Sequence, residues 1–191
     1  MKIGLFFGSF NPVHIGHLII ANHFLEFTEL EQIWFVVSPQ NPLKSEDSLV
    51  NADIRLKMVK VAIAVNKRFR VCDAEFSLSQ PSYTINTLRH LKSEHPWYDF
   101  FIIMGSDSFA GIRKWKDYKS ILSSYPIYIY QRRDFPVKDI ALLDKVTVFD
   151  FPYIDISATY IRKLLEEGKS VQFLVPEKIL AFLKRETEYK C

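Results

Sequence analysis

Short apolar runs alternate along this chain with stretches in which apolar residues recur every third or fourth position. A brief apolar run bounded by turn residues reads as a buried strand, and the longer period reads as one face of a helix. Residues 2–7, 32–37, 68–72, 100–104, 127–130 and 146–149 follow the first pattern. Residues 17–27 follow the second, with Leu18, Ala21 and Leu25 in phase, and so do residues 53–65, with Ile54, Met58, Val61 and Val65 on one face. Further helices are predicted over 83–91, stopped before Pro96, over 158–167, closed by Gly168 as a C-cap, and over 176–184.

Strand and helix alternate from end to end, which predicts an α/β fold with a mostly parallel sheet covered on both faces. No repeat, linker or low-complexity tract divides the chain, so residues 1–191 are expected to form one domain ending in two helices. Charge and cysteine content narrow what such a domain handles. A formal charge of +3 is too small for a nucleic-acid surface and suits a local site for a small anion. Cys72 sits in an apolar run and Cys191 is the last residue, so neither a disulfide framework nor metal-ligand spacing is legible. The first apolar stretch is broken by Gly8, Ser9, Asn11 and Pro12, unlike a signal peptide, and nothing approaches the length of a membrane span. A cytoplasmic protein without membrane or nucleic-acid partners is expected. Oligomeric state has no signature in the sequence.

The turn after the first strand holds the densest candidate chemistry. It reads GSFNPVHIGH, residues 8–17, and uses two of the chain's six glycines and two of its five histidines. The first strand-to-helix turn of a parallel sheet lies at the carboxyl edge, where ligands bind in such folds. A helix starting near His17 would aim free N–H groups and its dipole at an anion there. Gly8 and Gly16 permit close backbone approach. His14 and His17, three apart, share one side of a starting turn and can donate to phosphate oxygens, with added charge if protonated. A tight turn with incidental polar residues and a metal site are the alternatives; two histidines without a third ligand make a poor zinc site. Near the other end, ISATYIR (residues 156–162) combines an N-cap serine, Ser157, with Thr159 in the first turn and Arg162 one turn on. It reads either as an ordinary capped helix or as a second phosphate cradle.

With these residues in view, GSFNPVHIGH resembles the signature of the HIGH-superfamily nucleotidyltransferases, here spelled literally by His14-Ile15-Gly16-His17. ISATYIR is similar to that group's I-S-S-T-x-I-R, with Ala158 replacing the second serine. Class I aminoacyl-tRNA synthetases share the first motif, but their second signature loop and tRNA-binding domain are missing. PSYTINTLRHL (residues 81–91) and MGSDSFAGIRKWKDY (residues 104–118) resemble the bacterial nicotinate mononucleotide adenylyltransferases, as does NPLK, residues 41–44. Arg55 matches an arginine often found in the helix that follows. Asn86 in place of a common Asp, and QRRDF in place of an R-P-G ending, depart from the pattern.

The resemblance implies a single Rossmann-like doubly wound domain that transfers AMP from ATP to nicotinate mononucleotide, giving deamido-NAD and pyrophosphate. It implies His14, His17 and Arg162 as catalytic residues. It assigns ATP to Gly8, Ser9, Phe10, His17, Gly105, Asp107, Ser157, Thr159 and Arg162. The acceptor would meet Lys44, Thr84, Ile85, Trp115 and Lys116, with Trp115 stacked on the pyridine ring and backbone N–H groups near Ile85 and Lys116 facing its carboxylate. Core packing is the alternative for Trp115, and a helix N-cap for Asp107. Mg²⁺ is expected, held mainly by substrate phosphates. The rivals are a phosphopantetheine-directed relative, a preference for nicotinamide mononucleotide, and a non-catalytic nucleotide-binding regulator.

Overall fold

The computed structural model describes residues 1–40, 49–137 and 143–185. Six strands form one sheet: β1 (Lys2–Gly8), β2 (Gln32–Val37), β3 (Phe69–Cys72), β4 (Asp99–Gly105), β5 (Ile127–Tyr130) and β6 (Val146–Phe149). Their order is β3-β2-β1-β4-β5-β6, and every pairing is parallel. This is stricter than the expected mostly parallel sheet. Each strand therefore needs a crossover, and the crossovers supply the helices on the two faces.

The pleat divides the apolar residues between these faces. Phe6, Phe35 and Ile103 point to one side, with Phe24 and Ile20 of α1 (Ile15–Phe27), Met58 of α2 (Ala52–Ile63), Ile161 of α7 (Ala158–Glu166) and Ile179 of α8 (Glu177–Arg185). Leu5, Val36 and Ile102 point to the other. There they meet Leu88 of α4 (Thr84–Glu94) and Ile121 of α6 (Tyr118–Ser124). Two short helices, α3 (Ala74–Ser77) and α5 (Ser106–Ala110), and a 3₁₀ turn over Ile112–Lys114 complete the chain.

Some boundaries differ from the expectation. The first helix starts at Ile15 rather than 17, and the second ends at Ile63, leaving Val65 exposed beyond the predicted apolar face. α3, α5 and α6 carry four, five and seven residues, too few to show a helical period. What matters for the site is the break in strand order. β1 and β4 are neighbours, and their crossovers leave to opposite faces. A crevice therefore opens at their carboxyl ends, between Gly8 and Gly105.

Candidate active site

The chain from β1 to α1 is held by an arginine from elsewhere. Arg55 on α2 is 1% exposed. Its Nε donates to the Val50 carbonyl at 2.8 Å, Nη1 to the carbonyls of Ser9 (2.6 Å) and Ser38 (2.8 Å), and Nη2 to that of Pro39 (2.7 Å). One planar fork thus ties the first turn to the end of β2. Beside it Phe10 has φ +47°, a conformation costly for a side chain of that size and found where a fold fixes a turn for function. Its ring is buried against Phe6, Phe35 and His17.

His14 and His17 come together, though not as the sequence suggests. His14 sits at the N-cap of α1 and is 2% exposed, so its ring is buried in the turn rather than set on the surface. Its backbone N–H donates to Nδ1 of His17 at 3.2 Å, and the two rings stack with centroids 3.6 Å apart. An accepting Nδ1 leaves the proton of neutral His17 on Nε2. Burial, with the Arg132 guanidinium nearby, holds the His14 pKa down to about 3. His14 is therefore neutral, which corrects the expectation that it could add charge. Gly16 fits closely beside this pair: a Cβ there would lie 3.0 Å from both His14 Nδ1 and Ile154 Cγ2, so a larger residue needs those neighbours to give way. The N–H groups of the first turn are largely spent, that of Ile15 on the Leu174 carbonyl and that of His17 on the His14 carbonyl. The imidazoles, more than a bare helix end, supply the donors.

The second motif folds back onto the first. Ser157 caps α7, its Oγ accepting from the Tyr160 N–H at 3.1 Å. Arg162 donates from Nη1 to the Asn11 carbonyl at 2.8 Å and from Nη2 to Thr159 Oγ1 at 3.3 Å. Residues 151 apart in sequence thereby share one corner of the molecule.

Between Gly8 and Gly105 lies a cavity of about 340 Å³, lined on one side by Ser82, Tyr83, Thr84, Trp115 and Lys116. Trp115 is half-buried, packing against the core while also facing the cavity. Lys116 Nζ lies 4.7 Å from the centre of the Tyr83 ring. The side chain of Ile85 is in the core, which leaves only its backbone for a ligand. Asp107 is not an N-cap; Gly105 holds that position, and Asp107 folds back so that a Cβ on Gly105 would collide with its Oδ1. Lys44 lies outside the described residues.

Three side chains at the site escape the sequence reading. Arg132 donates from Nη1 to the Ile154 carbonyl at 2.9 Å, lies over the Tyr130 ring, and has Nε 4.0 Å from Asp107 Oδ1. It thus joins the end of β5 to the approach of α7. It belongs to the QRRDF segment, which the sequence offers only as a departure from a pattern. Tyr130, at the end of β5, reads as an ordinary strand residue. Glu75, 2% exposed in the cavity wall, sits in a four-residue helix with no pattern to mark it.

Comparison with known proteins agrees with this geometry. A family model described as cytidylyltransferase-like matches residues 5–164. A protein of Flavobacterium johnsoniae named "Probable nicotinate-nucleotide adenylyltransferase" is 44% identical over 192 residues, covering all of both chains. One of Bacteroides thetaiotaomicron with the same name is 42% identical, covering 96% of this chain and 91% of its own. The fold is that of the Plasmodium falciparum nicotinic acid mononucleotide adenylyltransferase solved in complex with NaAD. That structure has a TM-score of 0.85 at 21% identity over 98% of this chain and 97% of its own. The chain belongs to the cytidylyltransferase-like family and, within it, to the nicotinate-nucleotide adenylyltransferases.

Proposed function

We propose that this protein joins ATP and nicotinate mononucleotide in the crevice between β1 and β4, releasing pyrophosphate and forming deamido-NAD. The observation that carries this reading is the Arg162–Asn11 contact. It brings the ISATYIR helix to the His14–His17 turn, beside a cavity with a half-buried tryptophan and a lysine on its far wall. Two anions can be received there from opposite sides. We read residues 1–191 as one nucleotidyltransferase domain organised around that crevice.

The nucleophile is the acceptor's own phosphate, so the chain needs no covalent intermediate. Its task is to align that phosphate with the α-phosphorus and to stabilise charge on the oxygens in the transition state. Neutral imidazoles suit the task as preorganised donors: His14 and His17 face the α-phosphate and the bond being broken. Arg162 takes the β,γ side together with Ser157 and Thr159. Gly8, Ser9, Phe10, Gly105 and Asp107 surround the nucleoside part of ATP. Thr84, the backbone at Ile85, Trp115 and Lys116 hold the pyridine ring, and Lys44 adds a cation for phosphate.

The chemistry of nucleotide phosphates also implies Mg²⁺. Among the described residues no three His, Cys, Asp or Glu side chains converge to hold a metal, so the chain's own donors do not fit a resident ion. Such an ion would take its ligands from the phosphates and water, and no step above is routed through it. The test is pyrophosphate release from ATP with each candidate acceptor in turn. Turnover with nicotinate mononucleotide supports the reading; turnover only with another acceptor, or none, overturns it.

A further inference from the structure

Glu75 is a buried carboxyl in the cavity wall with no part in the reaction described above. Its Oε1 accepts from Thr87 Oγ1 at 2.9 Å, on α4. Its backbone carbonyl accepts from Nε2 of Gln80 at 2.9 Å, which fixes that amide with Oε1 turned away. Gln80 Oε1 in turn accepts from Ser82 Oγ at 3.0 Å. The hydroxyl of Ser82 has a single proton, and this bond uses it. The hydroxyls of Ser38 and Ser82 also stand beside the Glu75 carboxyl, yet its Oε2 is buried and has no hydrogen bond of ordinary geometry among the described residues. A buried carboxylate oxygen without an aligned donor is costly. A carboxyl that keeps its proton avoids that cost by donating from Oε2.

We propose that Glu75 is a positioning residue for acceptor recognition, acting as a neutral carboxylic acid that locks the Ser82-Tyr83-Thr84 segment against α4. The proposal rests on the reading of the cavity as the pyridine subsite. Two consequences follow for a substrate that carries a ring carboxylate. The wall segment that offers Thr84 and the Ile85 backbone is held in one register. The same wall also presents no second negative charge to the incoming carboxylate. Burial acts in the same direction and outweighs the opposing hydrogen bonds from Ser38, Thr87 and Ser82, raising the Glu75 pKa above its ordinary value. The ionisable groups around it are Cys72 and Asp73 at the start of its short helix, Arg55 behind Ser38, Tyr83 beside Ser82, and Lys114 and Lys116 across the cavity.

Glu75→Gln keeps the shape, an acceptor for Thr87 and a donor for Ser82, and cannot ionise. Glu75→Ala removes all three. The experiment measures KM for nicotinate mononucleotide and for ATP between about pH 6 and pH 9, with melting temperature as a control for folding. Glu75→Ala is expected to raise the acceptor KM about tenfold with the KM for ATP little changed, and Glu75→Gln to recover most of that loss. In the native protein the acceptor KM should climb by about tenfold once Glu75 ionises, because like charges then meet in a poorly solvated site, and Glu75→Gln should lose that rise. An infrared difference spectrum, native minus Glu75→Gln, gives a readout free of turnover: the carbonyl stretch of a protonated acid at neutral pH. A carboxylate band instead, or a Glu75→Gln variant with the native pH profile, overturns the proposal. So does an Ala variant whose KM values for ATP and acceptor rise together. A native protein that turns over no nicotinate mononucleotide at all would instead defeat the functional reading on which it rests.

Discussion

His14 and His17 stack face to face at 3.6 Å, and the Nδ1 of His17 accepts the backbone N–H of His14 at 3.2 Å. The arrangement fixes the tautomer of His17 and buries His14 as a neutral ring. It also ties stability to pH. The folded pKa of His14, about 3, lies below the unfolded value of about 6.5. Between these limits the unfolded chain holds more protons, so stability falls as pH falls through that window. The slope from this one residue is up to about 1.4 kcal/mol per pH unit. Urea unfolding at pH 7, 6 and 5 should show a shallower acid loss for His14→Ala than for the native protein. Coincident slopes would show that His14 titrates normally in the fold.

The proposed reaction draws on the same pair in a different way. His14→Ala and His17→Ala should each lower kcat about 10²-fold or more, since each removes a preorganised donor worth roughly 3 kcal/mol. His14→Ala should also lower stability near pH 7, because its ring is buried. Either variant turning over at a near-native rate removes that residue from the phosphate clamp.

Arg162 presents a planar fork to Asn11 and Thr159, and lysine cannot reproduce it. Arg162→Lys should raise the KM for ATP and slow turnover, with the acceptor KM little changed. Steady-state kinetics with each substrate varied separately checks this. An effect confined to the acceptor would move Arg162 to the other side of the crevice.

Arg55 has a structural part beside these residues. Replacing it with Leu strips donors from the carbonyls of Val50, Ser9, Ser38 and Pro39 at once. Buried acceptors left unmet cost about 1–3 kcal/mol each, so denaturant unfolding should show a loss of several kcal/mol. A loss under about 1 kcal/mol would mean that water replaces the guanidinium without penalty.

The sequence shows the architecture where apolar residues repeat and hides it where they do not. All six strands and the longer helices follow from periodicity, because a two-sided parallel sheet demands continuous apolar strands. The helices at Ala74, Ser106 and Tyr118 are shorter than two or three turns and leave no pattern. Candidate-site residues in dense motifs are legible, as with His14, His17, Ser157 and Arg162, whose two motifs the fold brings together. The burial of His14 is not, since it depends on Ile154 and Leu174 packing over the turn from the far end of the chain. Arg132 and Glu75 are tied in by contacts distant in sequence, among them Ile154 and Thr87, and no local spacing announces either.

The central claim is the joining of ATP to the acid form of the pyridine mononucleotide. A pocket of backbone donors near Thr84, Ile85 and Lys116 can pair with both oxygens of a ring carboxylate, whereas an amide turns its NH₂ toward one of them. An unmet buried donor costs about 1–3 kcal/mol, and the lost charge-assisted bond adds to that. The most direct measurement is a competition: ATP with equal concentrations of nicotinate and nicotinamide mononucleotides, the two dinucleotide products quantified by mass spectrometry at early times. The account predicts deamido-NAD in about 10²-fold excess or more. Equal amounts of the two products, or NAD in excess, would contradict it.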